Sequence, residues 1–138
     1  MNDISIWIEF SGKFKSSEIT NIIPNCKVTM EMGEIAKRGR FKDISNPISV
    51  VEIEDNSDKP YDERIDSLLN DASNIVRKLK LERILNVETV DIKKILWFNY
   101  NYEDQCNLEF NPKQLEIMGK LGMIFCISCY QTNVIIKK

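Results

Sequence analysis

Tyr61, Ile65, Leu68, Leu69, Ala72, Ile75, Val76 and Leu79 recur at spacings of three and four. That spacing gathers them on one wide stripe of a long α-helix. A stripe of this width must be covered by other apolar surface, and the rest of the chain supplies it in strand form. In residues 3–10, Ile4, Ile6, Ile8 and Phe10 fall on one face, with Ser5, Trp7 and Glu9 on the other, the period-two mark of a β-strand. Residues 25–32, 48–54, 92–102 and 123–130 also read as strands, the last one heavily buried.

Local punctuation places the connections. Ser16 or Ser17 can cap a short helix over 16–23, with Ile19, Ile22 and Ile23 buried and Pro24 as its stop. Residues 33–47, with Gly33, Gly39 and Pro47, read as a loop or ragged hairpin. Pro60 suits the first position of the long helix, which spans 60–80 and runs on toward Leu85 or restarts near Leu81. Its acidic start (Asp62, Glu63) and basic end (Arg77, Lys78, Lys80) follow the helix dipole. Asn111-Pro112-Lys113-Gln114 has the form of a capping box, with Leu115, Met118 and Leu121 as the buried face and Gly122 as the stop.

Strand 3–10, helix 16–23 and strand 25–32 repeat the order of strand 92–102, helix 111–121 and strand 123–130. The expected fold is therefore α+β: a single mixed or antiparallel sheet with helices packed on one face. Two strand–helix–strand units flank a long central helix, in a ferredoxin-like or related arrangement. Residues 1–131 read as one domain, with 132–138 a tail or short edge strand.

Composition narrows the function. The chain has 138 residues, 43% of them apolar, and a formal charge of −2. One globular domain is the natural expectation at this length. The near-balanced charge is no footprint for nucleic acid. No apolar run approaches a membrane span or a signal peptide, so a cytoplasmic protein is expected. There is no histidine at all, which removes the commonest general base and the commonest imidazole metal ligand. Cys26, Cys106, Cys126 and Cys129 fall in strand-like segments, where reduced cysteine behaves as a small hydrophobe, in keeping with the cytosol; the even count permits disulfides without demanding them.

Several clusters could carry chemistry. Cys126 and Cys129 have the spacing of a redox or zinc half-site, but residues three apart on a strand point to opposite faces and no second pair completes a site. The basic loop 37–42 (Lys37, Arg38, Gly39, Arg40, Phe41, Lys42) could clasp phosphate or an acidic partner, or be a solvated loop. Glu52, Glu54, Asp55 and Asp58 form an acidic run without calcium-loop spacing. Glu103 and Asp104, with Glu109 nearby, are a second acidic cluster open to a carboxylate-based hydrolase reading. Trp7 and Trp97 each occupy the face opposite the apolar alternation of their strand. If those strands are neighbours, the second face of the sheet carries aromatic rings among polar groups, as interface anchors do.

The opening strand followed by Ser16-Ser17-Glu18-Ile19-Thr20, the Gly33-Glu34 pair and the long central helix resemble an uncharacterised bacterial family of small α+β proteins, known as a domain of unknown function. The closing Leu108-Glu109-Phe110-Asn111-Pro112, Leu115, Gly122 and Cys129-Tyr130 carry the resemblance to about residue 130. It implies an immunity protein of a polymorphic or contact-dependent growth-inhibition toxin system: a non-enzymatic cytoplasmic inhibitor without cofactor or metal, bound 1:1 to a cognate toxin C-terminal domain. On that reading Glu52, Glu54, Asp55, Glu103 and Asp104 meet a basic toxin cleft, and Trp7, Trp97 or Tyr100 supply the anchors. The alternative is a small-ligand or regulatory module with a pocket between helix 60–80 and the sheet.

Overall fold

The computed structural model describes residues 3–37, 39–40, 42–82, 92–104 and 107–132. The elements run β1 (Asp3–Gly12), α1 (Ser17–Thr20), β2 (Lys27–Met30), β3 (Ser49–Glu54), α2 (Tyr61–Glu82), β4 (Lys93–Tyr102), α3 (Pro112–Lys120) and β5 (Ile124–Gln131). The five strands make one sheet in the order β2-β3-β1-β4-β5. All neighbours are antiparallel except β4 and β5, which are parallel. The first four strands with α1 and α2 reproduce the split βαβ arrangement of a ferredoxin-like fold, and α3-β5 is added beyond β4.

The fold is the expected α+β sheet, but the two strand–helix–strand units are not equivalent. β4 and β5 are adjacent, whereas β3 is inserted between β1 and β2. Pairing across the sheet is decided by non-local contacts that the order of elements does not encode.

One face of the sheet builds the core. Ile6, Ile8 and Phe10 of β1, Val51 and Ile53 of β3, and Leu96 and Phe98 of β4 are buried with Ile65, Leu68, Leu69, Ala72, Ile75 and Leu79 of α2. Ile19 of α1 and Met118 of α3 join the same cluster. Each large apolar side chain so buried contributes roughly 1.5–3 kcal/mol before entropy. At the sheet's end, Phe110 stands edge-on to Tyr61, Phe98 and Phe125.

Helix ends show where local signals suffice. In α3 the Asn111 side chain accepts from the Gln114 N–H at 2.8 Å, and the Gln114 side chain accepts from the Asn111 N–H at 3.2 Å. Gly122 closes the helix at φ 63°, and the Met123 N–H donates to the Met118 carbonyl at 2.9 Å. By contrast α1 is a single turn, shorter than the expected 16–23. Ser16 makes no capping bond because its own backbone is already helical (φ −55°, ψ −31°), and a capping side chain needs extended backbone. Within the stretch read as a loop or ragged hairpin, Ile35 and Ser45 form an antiparallel bridge. β2 is shorter than the expected 25–32 and carries an irregularity between Val28 and Met30.

β5 corrects another expectation. It is an edge strand with most positions exposed, not a heavily buried one. The tail beyond Thr132, the continuation of α2 toward Leu85, and Cys106 lie outside the described residues, as do Arg38 and Phe41 of the basic loop.

Candidate functional site

The second face of the sheet is the candidate site. β1 and β4 pair so that Trp7 is directly opposite Trp97. Their rings stack with centroids 6.1 Å apart and planes 18° from parallel. Trp7 is flanked by Glu54 on β3, and Trp97 by Cys126 on β5. The next row toward the C-terminal end of β1 reads Ile124, Ile95, Glu9, Glu52, Lys27 across all five strands. On the other side of the tryptophans stand Ser128, Asn99 and Ser5. Among the described residues no helix contributes to this face, because the apolar stripes of all three join the core on the opposite side.

Two features of this face oppose folding. Glu9 and Glu52 are cross-strand partners, and like charges directly opposite each other destabilise a sheet. Burial raises the pKa of the Glu52 carboxyl; Lys27 pulls it down, while Glu9 and Glu54 push it up. The second feature is the Trp97 indole. Its Nε1 is buried and has no hydrogen-bond acceptor among the described residues, at a cost of about 1–3 kcal/mol for such a donor. Ile95 is also buried here, outside the helix-side core cluster. The face is thus an apolar centre of Trp7, Trp97 and Ile95 bordered by three carboxylates.

The other expected site residues divide. Glu52 and Glu54 stand beside the tryptophans. Tyr100 does not: it is 6% exposed, on the helix side, with its ring 5.9 Å from that of Tyr102. It belongs to the core because it shares strand parity with Leu96 and Phe98, so it is not a surface anchor. Asp55 is engaged in holding the fold together. Arg64 of α2 donates to the Asp55 carbonyl at 2.8 and 3.2 Å and to the Ile4 carbonyl at 3.1 Å. Burial works against the Asp55 carboxylate. Hydrogen bonds from the Ser57 side chain and N–H, with Arg64 and Lys59 nearby, more than offset this and hold its pKa below the usual value. Glu103 and Asp104 follow β4 at the sheet's end, about 20 Å along the strand from Trp97 at 3.3 Å per residue, and are not brought to the tryptophans. Glu9 and Ile95 are the residues that the sequence reading missed. Glu9 shares Trp7's strand face, so its alternation was visible, but its pairing with Glu52 depends on register.

Other chemistry finds less support in the geometry. Cys126 and Cys129 face opposite sides of β5, level with Trp97 and Tyr100 respectively. Among the described residues no group of three His, Cys, Asp or Glu side chains could hold a metal ion. A small apolar cavity between α2 and the sheet, lined by Phe10, Val76, Leu79, Ile92 and Lys94, measures about 10 Å³, room for at most one water, whereas an open cleft of about 540 Å³ lies where the start of α2 (Tyr61, Arg64) meets β1 (Asp3, Ile4, Ser5). No described helix is long and apolar enough to cross a membrane. Comparison with protein-family models, curated proteins and solved structures returns no match.

Proposed function

We propose that this chain is an immunity protein. It acts in the cytoplasm, without catalysis, by laying the tryptophan-bearing face of its sheet over the active site of a bacterial toxin domain. The observation that carries this reading is the stacked Trp7–Trp97 pair bordered by Glu9, Glu52 and Glu54. Paired tryptophans offer large, rigid contact area, and such rings dominate binding energy at protein interfaces. Carboxylates around them suit a basic cleft, the kind a nuclease uses to hold phosphates. A cation placed between Glu9 and Glu52 would relieve their repulsion, so the charges that oppose folding would favour the complex. The family resemblance of the sequence supports the same reading.

Charge steers encounter and selects the partner, while the aromatic centre slows dissociation. The test is co-expression with the products of the neighbouring genes. The expected result is restored growth and a 1:1 complex, with rescue lost in a Trp7→Ala, Trp97→Ala double variant that still folds. Rescue undiminished in that variant would remove the tryptophan-bearing face from the mechanism. Neighbouring gene products that all lack toxicity would remove the immunity reading itself.

A further inference from the structure

The two edges of the sheet are built differently. β2 closes one edge with four residues, a lysine at position 27 and a register irregularity. These are the devices by which sheets blunt an edge against pairing with other chains. β5 closes the other with eight residues, Ile124–Gln131, in regular register with β4. It contains no charge, no proline and no glycine. Its outer edge pairs with no strand among the described residues. Three of its large side chains stand out from the surface: Ile124 at 45%, Ile127 at 47% and Tyr130 at 59% exposure.

We infer that β5 is the interface of a two-fold homodimer, in which two copies pair antiparallel through this strand into one ten-stranded sheet. A two-fold axis normal to the sheet keeps the helices of both copies on one side. It requires that paired residues share strand parity. One such register, centred on Ile127, sets Ile127 opposite its own copy and Ile124 opposite Tyr130 of the second copy. Each outstanding apolar side chain then has an apolar partner, Ile127 with its copy on the helix side and Ile124 with Tyr130 on the tryptophan side. Phe125 meets Cys129 of the second copy, and no charged residue of β5 is buried because there is none.

Charge agrees with the antiparallel sense. The neighbouring β4 carries Lys93 and Lys94 where β5 begins, and is followed by Glu103 and Asp104 where β5 ends. Reversing the second copy brings the acidic end of each protomer level with the basic end of the other. A parallel or head-to-head contact would align like charges. The tryptophan faces of the two copies stay on one side of the joined sheet, so a 1:1 ratio with a partner is kept as two and two. This inference stands independently of the immunity reading.

Sedimentation equilibrium from micromolar to submillimolar concentration tests it. The expected species has twice the mass of one chain. An Ile127→Lys variant, which opposes two like charges at the dyad, is expected to weaken the dimer at least tenfold and leave the circular dichroism spectrum unchanged. A second arm uses Ile127→Cys in a Cys126→Ser, Cys129→Ser background. Directly opposite residues in an antiparallel pair lie about 4.5–5.5 Å apart, within disulfide reach, so mild oxidation is expected to give a covalent dimer that the background alone does not. A monomer throughout the range overturns the inference, even if a foreign strand binds β5. So does a dimer indifferent to Ile127→Lys, or one in which position 127 does not cross-link.

Discussion

Ser49 shows how one side chain orders a whole region. It is fully buried; its hydroxyl donates to the Phe14 carbonyl at 2.7 Å and accepts from the Met32 N–H at 2.9 Å. Two chain segments that lack a strand ladder are thereby tied to the start of β3. Ser49→Ala leaves both backbone groups without this partner, and is expected to cost about 1–3 kcal/mol, measured as a lower urea midpoint with an unchanged slope. Lys94 is the opposite case. Desolvation lowers its pKa, and Lys80 lowers it further. Between the folded and unfolded values the unfolded chain binds more protons, so the wild type gains stability as pH rises through that window. Lys94→Met is therefore expected to stabilise the protein at neutral pH by roughly 0.5–1 kcal/mol, a modest figure because the ammonium is partly solvated. The gain should shrink toward the ordinary lysine pKa in denaturation curves taken across alkaline pH. A gain that grew with pH would contradict this. At this scale sequence reading works where parity alone decides. The strand alternation places Trp7 and Trp97 each on the face away from the core, where the β1–β4 register brings them together, and the same alternation places Tyr100 in the core. Expecting Tyr100 at the surface weighed its aromatic ring above its position.

Among the elements, the ends of α3 were legible almost to the residue because they are local chemistry, but its buried face was not: Leu115, expected inside, is 49% exposed, and Gln114 is buried beside Met118. The capping box and Gly122 each act within one turn. Asn111→Ala is expected to cost about 1 kcal/mol, read as a lower Tm with the sheet intact by circular dichroism. α1 was over-read, since the spacing of Ile19, Ile22 and Ile23 resembles a helix stripe whether or not the turn continues. The Ser16 N–H donates instead to the Glu31 carboxylate, a contact fifteen residues away that no local pattern announces. β5 was misplaced for a related reason. An apolar run with two cysteines reads as buried, and only the strand order shows that it lies at an edge.

For the molecule as a whole, the α+β class was legible because period-two and period-3.6 segments are unambiguous here. The ferredoxin-like order, with β3 inserted between β1 and β2, lay within that reading; that α2 and β4 complete it, with α3 and β5 added outside, did not, nor did the Glu9–Glu52 pairing, because these depend on which strands meet. The candidate site shares that limit: its tryptophans came from parity and its carboxylate border from register. A border of Glu9, Glu52 and Glu54 facing a basic partner implies long-range attraction. Its association rate is expected to fall several-fold between low and physiological salt while dissociation changes little, as stopped-flow mixing would show. A rate indifferent to salt would mean that these carboxylates do not face the partner.

The account's central claim is that the chain works through the tryptophan face of its sheet. Calorimetric titration of the product of the neighbouring gene with wild type and with Trp97→Ala tests it most directly. The account predicts 1:1 binding that weakens at least tenfold in the variant while its fold persists. Equal affinity in both proteins, or no binding by the wild type, would contradict it.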